Sequence, residues 1–200
     1  MPTEIHVIVD RSGSMYECID DTIGGFNTFL ANQKADTSDE CFFSLYQFDH
    51  EYTVSFKNKP IQEVEPLTKD SFQPRGQTAL LDAIGRTIIG IGDSNNKIIV
   101  VIQTDGHDNS SKEFDKNKIK EMIKKKEEED WKVIFLGANQ DAITAAGSLG
   151  INQNRAMSYS QTPQHVNSCF RSLSAAVSRN RSGAGDTGFT EIERTQSIQQ

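Results

Sequence analysis

The sequence predicts one α/β domain built on an open, mostly parallel sheet of six strands with helices on both faces. Short β-branched and aromatic runs alternate along the chain with stretches in which apolar residues recur at helical spacing. Strands that alternate with helices favour parallel pairing through right-handed crossovers. The chain has 200 residues, of which 36% are hydrophobic, and a chain of this size folds without a disulfide or a structural metal.

Six segments have the composition of strands. Residues 4–10 form a short apolar run that ends in an acid. Residues 97–104 are the most apolar run, so we expect them in the centre of the sheet, covered on both faces. Residues 52–56 alternate and predict an antiparallel edge strand after a turn at Asp49, His50 and Glu51. The other strands are predicted over residues 41–48, 131–137 and 155–159.

Helices are predicted between these strands. In the first of them, apolar side chains recur from Ile19 to Leu30 at helical spacing. Its Gly24 and Gly25 indicate close packing against a neighbouring element. Residues 60–76, which contain three prolines, read as a loop, and the charged run at 124–130 reads as a solvated helix face. The predicted helices cover residues 16–34, 78–90, 113–130, 141–149 and 163–179.

Charge and targeting signals exclude several classes of protein. The net charge of −7 argues against binding to duplex nucleic acid or to anionic lipid, although basic residues at 124–126 and 171–181 leave a nucleic-acid role open as an alternative. No apolar run is long enough to span a bilayer, and the N-terminus lacks the features of a signal peptide. Three widely spaced cysteines indicate reduced thiols. We therefore expect a cytoplasmic protein.

The composition changes near residue 180. Residues 1–180 are expected to form the domain, and residues 181–200, rich in Gly, Ser, Thr and Gln, are expected to form a polar flexible tail. The tail carries Asp186, Glu191 and Glu193 near Phe189. One of these acids could reach a metal ion on another copy of the chain, so self-association through the tail is an open alternative.

Oxygen-bearing side chains follow two strands and precede one helix. Asp10, Ser12 and Ser14 lie at and just beyond the end of the first strand, Asp105 follows the strand at 97–104, and Thr78 begins a helix. In a doubly wound sheet, ligands bind beyond the carboxyl ends of the strands, where these groups would converge. Two carboxylates and three hydroxyls suit Mg²⁺, with Mn²⁺ or Ca²⁺ also possible, and they leave a coordination position for an outside ligand.

Three motifs carry a resemblance to a known family. VIVDRSGSM resembles the D-x-S-x-S signature of von Willebrand factor A (vWA) domains, GQTALLDAIG resembles their threonine segment, and VIQTDGHDN resembles their T-D-G loop. The resemblance covers about residues 4–179. In its single-domain form the chain is similar to stand-alone vWA proteins of bacteria and phages. The resemblance implies a three-layer sandwich and a magnesium-occupied metal-ion-dependent adhesion site (MIDAS). The five ligand positions of that site would be taken by Asp10, Ser12, Ser14, Thr78 and Asp105. The family's free metal position takes an Asp or Glu carboxylate from a partner protein.

Other functions remain as alternatives. The chain could be an adaptor or regulatory subunit of an AAA+ ATPase or of a stress-response machine supplied by other proteins. It could also be a metal-dependent hydrolase in which His107, two residues after Asp105, acts as a base. No phosphate-binding loop or nucleophile elbow is present in the sequence, so we expect no catalysis. The serines and Thr78 could also merely cap helices, and Asp49 is interpreted as a turn residue.

Overall fold

The structure is a computed structural model that describes residues 1–139 and 141–198. The strands are β1 Thr3–Asp10, β2 Cys41–Phe48, β3 Tyr52–Pro60, β4 Lys97–Thr104, β5 Lys132–Ala138 and β6 Ala156–Tyr159. The helices are α1 Ile19–Ala35, α2 Leu80–Ile91, α3 Lys116–Glu128, α4 Ala142–Ser148, α5 Pro163–Arg181 and α6 Glu191–Thr195. Three short 3-10 helices cover Gly13–Cys18, Ile61–Glu63 and Gln153–Arg155.

The strands form one sheet in the order β3-β2-β1-β4-β5-β6. Neighbouring strands run parallel except for β3, which pairs antiparallel with β2 at the edge. Helices α1 and α5 pack on one face of the sheet, and α2, α3 and α4 pack on the other. The predicted fold class, a three-layer α/β sandwich with one antiparallel edge strand, is confirmed.

The central strands are buried because both faces of the sheet are covered. Every residue of β1 is buried, and β4, which lies between β1 and β5, is buried from its second residue onward. The predicted central position of β4 is therefore confirmed, and β4 pairs directly with β1. Since β1, β2 and β4 are parallel, their carboxyl ends lie at one edge of the sheet, and the loops that follow them meet there.

Element boundaries differ from the prediction where local geometry intervenes. The expected helix at 16–34 is divided into the 3-10 helix Gly13–Cys18 and α1. Strand β3 continues to Pro60, past irregularities in its pairing with β2 and a positive φ of 50° at Asn58. Helix α3 begins at Lys116, since the side chain of Asp115 caps it by accepting from the amide of Lys118.

Helices α1 and α5 touch at a glycine. A Cβ atom on Gly25 would lie 2.1 Å from the ring of Phe170 in α5, whereas a Cβ on Gly24 would meet nothing within 4 Å. The close packing predicted for the glycine pair is confirmed for Gly25 only. Its missing side chain lets the two helices approach each other over the sheet.

The C-terminal segment lies on the domain, where its composition predicts a flexible tail. Helix α5 continues to Arg181, and the side chain of Phe189 is 7% exposed. The Arg155 guanidinium holds Asp186, and the Arg179 guanidinium holds Glu193. Two of the three tail acids are therefore already paired within the chain, which leaves only Glu191 among them without such an ion pair in the described segment.

The same segment covers the outer edge of the sheet beside β6. Arg194 donates hydrogen bonds to the carbonyls of Gln153, Asn154 and Ala156. The amide of Ser160 donates to the carbonyl of Ser197 over 3.0 Å. These hydrogen bonds satisfy backbone groups at the start of β6 and on either side of it, and together with the buried Phe189 they hold the polar segment against the domain.

Two further expectations concern thiols and membranes. Cys18, Cys41 and Cys169 are all buried and unpaired, as the sequence predicts for reduced thiols. Within residues 1–139 and 141–198, no helix combines the length and the apolar character needed to cross a membrane.

Candidate metal site

Asp10 lies at the end of β1 with its carboxylate fully buried. The amide of Ser12 donates to Oδ1 over 2.6 Å, and the Thr104 hydroxyl donates to Oδ2 over 2.6 Å. Burial raises the pKa of Asp10 to about 6, the hydrogen bonds from Thr104 and Ser12 act against this rise, and the neighbouring carboxylate of Asp105 adds to it. The carboxylate is thus fixed in position and costly to ionise.

The two serines continue from Asp10 towards Asp105. Ser12 and Ser14 flank the start of the 3-10 helix Gly13–Cys18, and their Oγ atoms lie 3.2 Å apart. The Ser14 hydroxyl donates to Oδ1 of Asp105 over 2.8 Å. The i, i+2, i+4 spacing of the D-x-S-x-S motif therefore produces one connected row of oxygen atoms at the edge of the sheet.

Thr78 approaches this row from the loop before α2. Its amide donates to Oδ1 of Asn109 over 2.9 Å, and its carbonyl accepts from the amides of Asn109 and Ser110. A Cβ atom on Gly106 would lie 3.5 Å from the Thr78 Oγ1. Thr78 is thus bound to the loop that follows β4, with its hydroxyl facing the backbone next to Asp105.

The five side chains predicted from the motifs lie around one point at the edge of the sheet. Asp10 accepts from the backbone amide of Ser12, and hydrogen bonds link the side chains of Ser12, Ser14 and Asp105. The hydroxyl of Thr78 faces the same loop. In the described chain, neither carboxylate forms an ion pair with a Lys, Arg or His side chain. A buried carboxylate needs such a partner or a metal ion, so the donor set suits a divalent cation with oxygen ligands.

Gln161 also reaches this edge, although no motif pointed to it. Its Nε2 donates to Oδ2 of Asp105 over 3.4 Å and lies 3.3 Å from the Cys18 Sγ. Its Oε1 accepts from Nδ2 of Asn139 over 2.5 Å. Gln161 joins the loops after β4, β5 and β6, and only the proximity of these loops in the folded chain could have revealed this role.

A second group of potential ligands lies beside the first. One ligand atom each of Asp49, His50 and Glu51 lies within 4.8 Å of the others. Arg11 and Arg75 both reach Oδ2 of Asp49, at 3.0 Å and 2.9 Å. Two guanidinium groups already neutralise these acids and repel a cation, so we interpret this group as an ion-pair cluster.

The site also includes a histidine that the sequence placed near the metal. His107 is exposed, and it lines an open cavity together with Leu81, Asp108 and Thr144. No hydrogen bond holds its ring against Asp105 in the described residues. His107 therefore lies at the rim of the site and is not held beside Asp105 as a base would be.

Solved structures with a similar fold include adhesion and matrix proteins. The zinc-bound MIDAS form of proximal thread matrix protein 1 from the mussel byssus has a TM-score of 0.61 at 18% identity, covering 86% of this chain and 46% of that one. The vWF domain of the pilus tip protein Mfa5 from Porphyromonas gingivalis has a TM-score of 0.63 at 11% identity, covering 90% and 96%. The pilus adhesin SpaC from Lactobacillus rhamnosus GG has a TM-score of 0.68 at 14% identity, covering 90% and 30%.

These likenesses establish the fold: the chain has a von Willebrand factor A fold, as its three motifs predict. The chain spans less than half the length of the mussel protein. No protein-family model matches the sequence, and no curated protein matches it significantly. At these identities the neighbours define the architecture, and the function rests on the site's own residues.

Proposed function

We propose that the chain is a metal-dependent protein-interaction module. The observation that supports this proposal is the convergence of two carboxylates and three hydroxyls at one sheet edge without a cationic partner in the described chain. Asp10, Ser12, Ser14, Thr78 and Asp105 would hold the ion, some of them through water. When bound, the ion supplies a Lewis-acidic coordination position for an outside oxygen ligand.

The charge of the site favours an acidic ligand from the partner. Asp10 and Asp105 together only balance a divalent ion, and the three hydroxyls add no charge. If Ser14 remains the donor to Asp105, one acid binds only indirectly and the ion keeps excess positive charge. An Asp or Glu side chain of a partner protein would neutralise it.

We infer magnesium as the resident ion. All five donors are oxygen atoms, which hard cations such as Mg²⁺, Mn²⁺ and Ca²⁺ prefer, whereas sites that select zinc use nitrogen and sulphur ligands. One mussel neighbour holds zinc in its MIDAS motif, which supports a divalent ion at such a site in general. The oxygen-only donor set supports magnesium in this chain.

We propose binding without catalysis. A hydrolase would need a base held near the metal-bound water, and His107 is exposed at the rim instead. The basic stretch that left a nucleic-acid role open is largely engaged internally: Arg181 pairs with Asp39, and Arg179 pairs with Glu193. A protein ligand therefore suits the site better than a nucleic acid or a hydrolysable substrate.

A cytoplasmic location is part of the same proposal. The three buried, unpaired thiols support a reducing compartment, since secreted domains tend to pair their cysteines.

The experiment is affinity capture with Mg²⁺ or with EDTA, using the wild-type chain, Asp105→Asn and, as a matched control, Glu51→Gln. Glu51 is an exposed acid at the same sheet edge that lies outside the oxygen row. We expect a protein that the wild type and Glu51→Gln retain with Mg²⁺, and that EDTA or Asp105→Asn releases. Retention of the same proteins under all conditions would contradict the proposal.

A further inference from the structure

The carboxylate of Asp49 is fully buried and surrounded by donors. Asp49 directly follows β2, which is the parallel neighbour of the strand that ends at Asp10. Its Oδ1 accepts from the amide of Glu51 over 2.6 Å, and the His50 Nδ1 lies 3.3 Å from the same oxygen. Such a group forms part of the interior, although the sequence presents it as a turn residue.

The two cationic partners of Asp49 come from the two loops that carry the proposed metal ligands. Nε of Arg11 lies 3.0 Å from Oδ2, and Arg11 is the residue between Asp10 and Ser12. Nε of Arg75 donates to the same Oδ2 over 2.9 Å, and Arg75 lies in the loop that leads to Thr78. One oxygen atom thus joins both loops.

Backbone contacts extend this connection to the ligand positions. The amide of Arg75 donates to the carbonyl of Arg11 over 2.8 Å, and the amide of Gly13 donates to the carbonyl of Gly76 over 3.1 Å. The amide of Ala79, next to Thr78, donates to the carbonyl of Asp49 over 2.8 Å.

Gly76 shows how closely these loops are packed. It has a φ of +67°, and a Cβ there would lie 2.1 Å from the His50 Nδ1. Only glycine fits both the backbone angle and the space, so the loop before Thr78 is pressed against the residues that follow Asp49.

We propose that Asp49 is a positioning residue of the metal site. Through Arg11 and Arg75 it sets the separation between the serine hydroxyls and the Thr78 hydroxyl, and it never touches the ion. This inference rests on the proposed function, because it assumes that these hydroxyls face a metal ion. Residues that orient ligands from outside the coordination sphere typically change metal affinity by about 10- to 100-fold.

The test compares Asp49→Asn with Glu51→Gln. Each substitution removes one negative charge from the same cluster. Glu51 contacts Arg75 alone, and the amide oxygen of a glutamine there can still accept from that guanidinium, whereas Asp49 contacts the arginines of both loops. Titration with Mn²⁺ measures affinity, and water-proton relaxation counts the waters on the bound ion. We expect Asp49→Asn to bind Mn²⁺ about 10- to 100-fold more weakly with additional water on the ion, because a displaced hydroxyl is replaced by solvent. Glu51→Gln should change affinity by no more than about twofold, since its exposed charge is screened.

A second variant keeps the inference testable if Asp49→Asn does not fold. Arg75→Lys retains the positive charge on a half-exposed side chain but loses the guanidinium geometry. It should also weaken Mn²⁺ binding and raise the water count. An unchanged water count in each variant that folds, or equal weakening in Glu51→Gln, would overturn the positioning role. Failure of the wild type itself to bind Mn²⁺ would instead overturn the proposed function.

Discussion

Asp10 and Asp49 are two buried carboxylates at the ends of neighbouring parallel strands, and their surroundings assign them different roles. Asp49 has two guanidinium groups within 3.0 Å. Asp10 receives only hydrogen bonds from Ser12 and Thr104, and burial raises its pKa to about 6. The acid without a cationic side chain is the one that suits a metal ion, whereas the neutralised acid suits a structural role.

At the other end of β1, Glu4 predicts a pH dependence of stability. A hydrogen bond with His6 is the main influence that lowers the pKa of Glu4 to about 2, with Asn96 and Ser94 acting in the same direction and burial opposing them. The unfolded chain has the ordinary value of 4.5, so the stabilisation by ionised Glu4 is complete above pH 4.5 and is lost as the pH falls towards 2.

We therefore expect the wild type to be more stable than Glu4→Gln at pH 7, and we expect this advantage to shrink steadily below pH 4.5. Urea unfolding of both proteins at pH 7, 4 and 3, under identical salt, measures the difference. An advantage that stays constant over this range would show that Glu4 does not titrate as its contacts indicate.

Arg181 is a buried cation, and we expect its removal to cause a large loss of stability. Its side chain is 1% exposed, and it binds Asp39 and the carbonyls of Gln33 and Asp36. Arg181→Ala leaves these acceptors without their donor and should lower the free energy of unfolding by about 3–5 kcal/mol. The matched control, Arg86→Ala, breaks an exposed pair with Glu113 and should cost no more than about 1 kcal/mol. If chemical denaturation showed similar losses of unfolding free energy in the two variants, the buried Arg181 would contribute no more than an exposed arginine.

At the scale of elements, the contact between α1 and α5 depends on one glycine of an adjacent pair. Gly25→Ala would push a methyl group against the ring of Phe170 and should destabilise the protein by about 1–3 kcal/mol. Gly24→Ala enters open space in the same helix and should stabilise it by about 0.5–1 kcal/mol. Thermal unfolding measures the stability change of each variant, which should be negative for Gly25→Ala and positive for Gly24→Ala. Equal changes would show that Gly25 is not in close contact with Phe170.

We expect removal of the C-terminal segment to lower the stability of the domain and to expose the edge of the sheet. A chain that ends at residue 182 loses the Arg194 side chain that binds three carbonyls beside β6, together with buried Phe189. We expect a melting temperature lower by at least about 3 °C, and self-association through the uncovered edge in light scattering. An unchanged melting temperature and mass would indicate the flexible tail that the composition suggests.

At the scale of the whole molecule, local patterns predicted the parts of the fold that depend on nearby residues. Hydrophobic periodicity gave the six strands, and the apolar run at 97–104 indicated the centre of the sheet. The candidate ligands Asp10, Ser12 and Ser14 could be predicted from the sequence because they lie in one short motif. That they bind a metal stays a prediction.

Other features depend on contacts between residues far apart in the chain, and composition could not reveal them. Asp49 does accept a turn hydrogen bond from Glu51, but its arginine partners come from two other loops. Gln161 carries no motif and reaches Asp105 only in the folded chain. The polar C-terminal segment is held by ion pairs with Arg155 and Arg179 and by hydrogen bonds from Arg194 to the backbone around β6, partners that its composition does not indicate.

We propose that this edge of the sheet binds a divalent ion through Asp10 and its neighbours, and calorimetry tests this most directly. Calorimetric titration with Mg²⁺ should give one site in the wild type and no binding in Asp10→Ala, with the circular dichroism spectrum unchanged. Asp20→Ala, which removes an exposed acid paired with Lys69, should bind as the wild type does. Absence of Mg²⁺ and Mn²⁺ binding in the wild type, or wild-type affinity in Asp10→Ala, would show that Asp10 and its neighbours do not form a metal site.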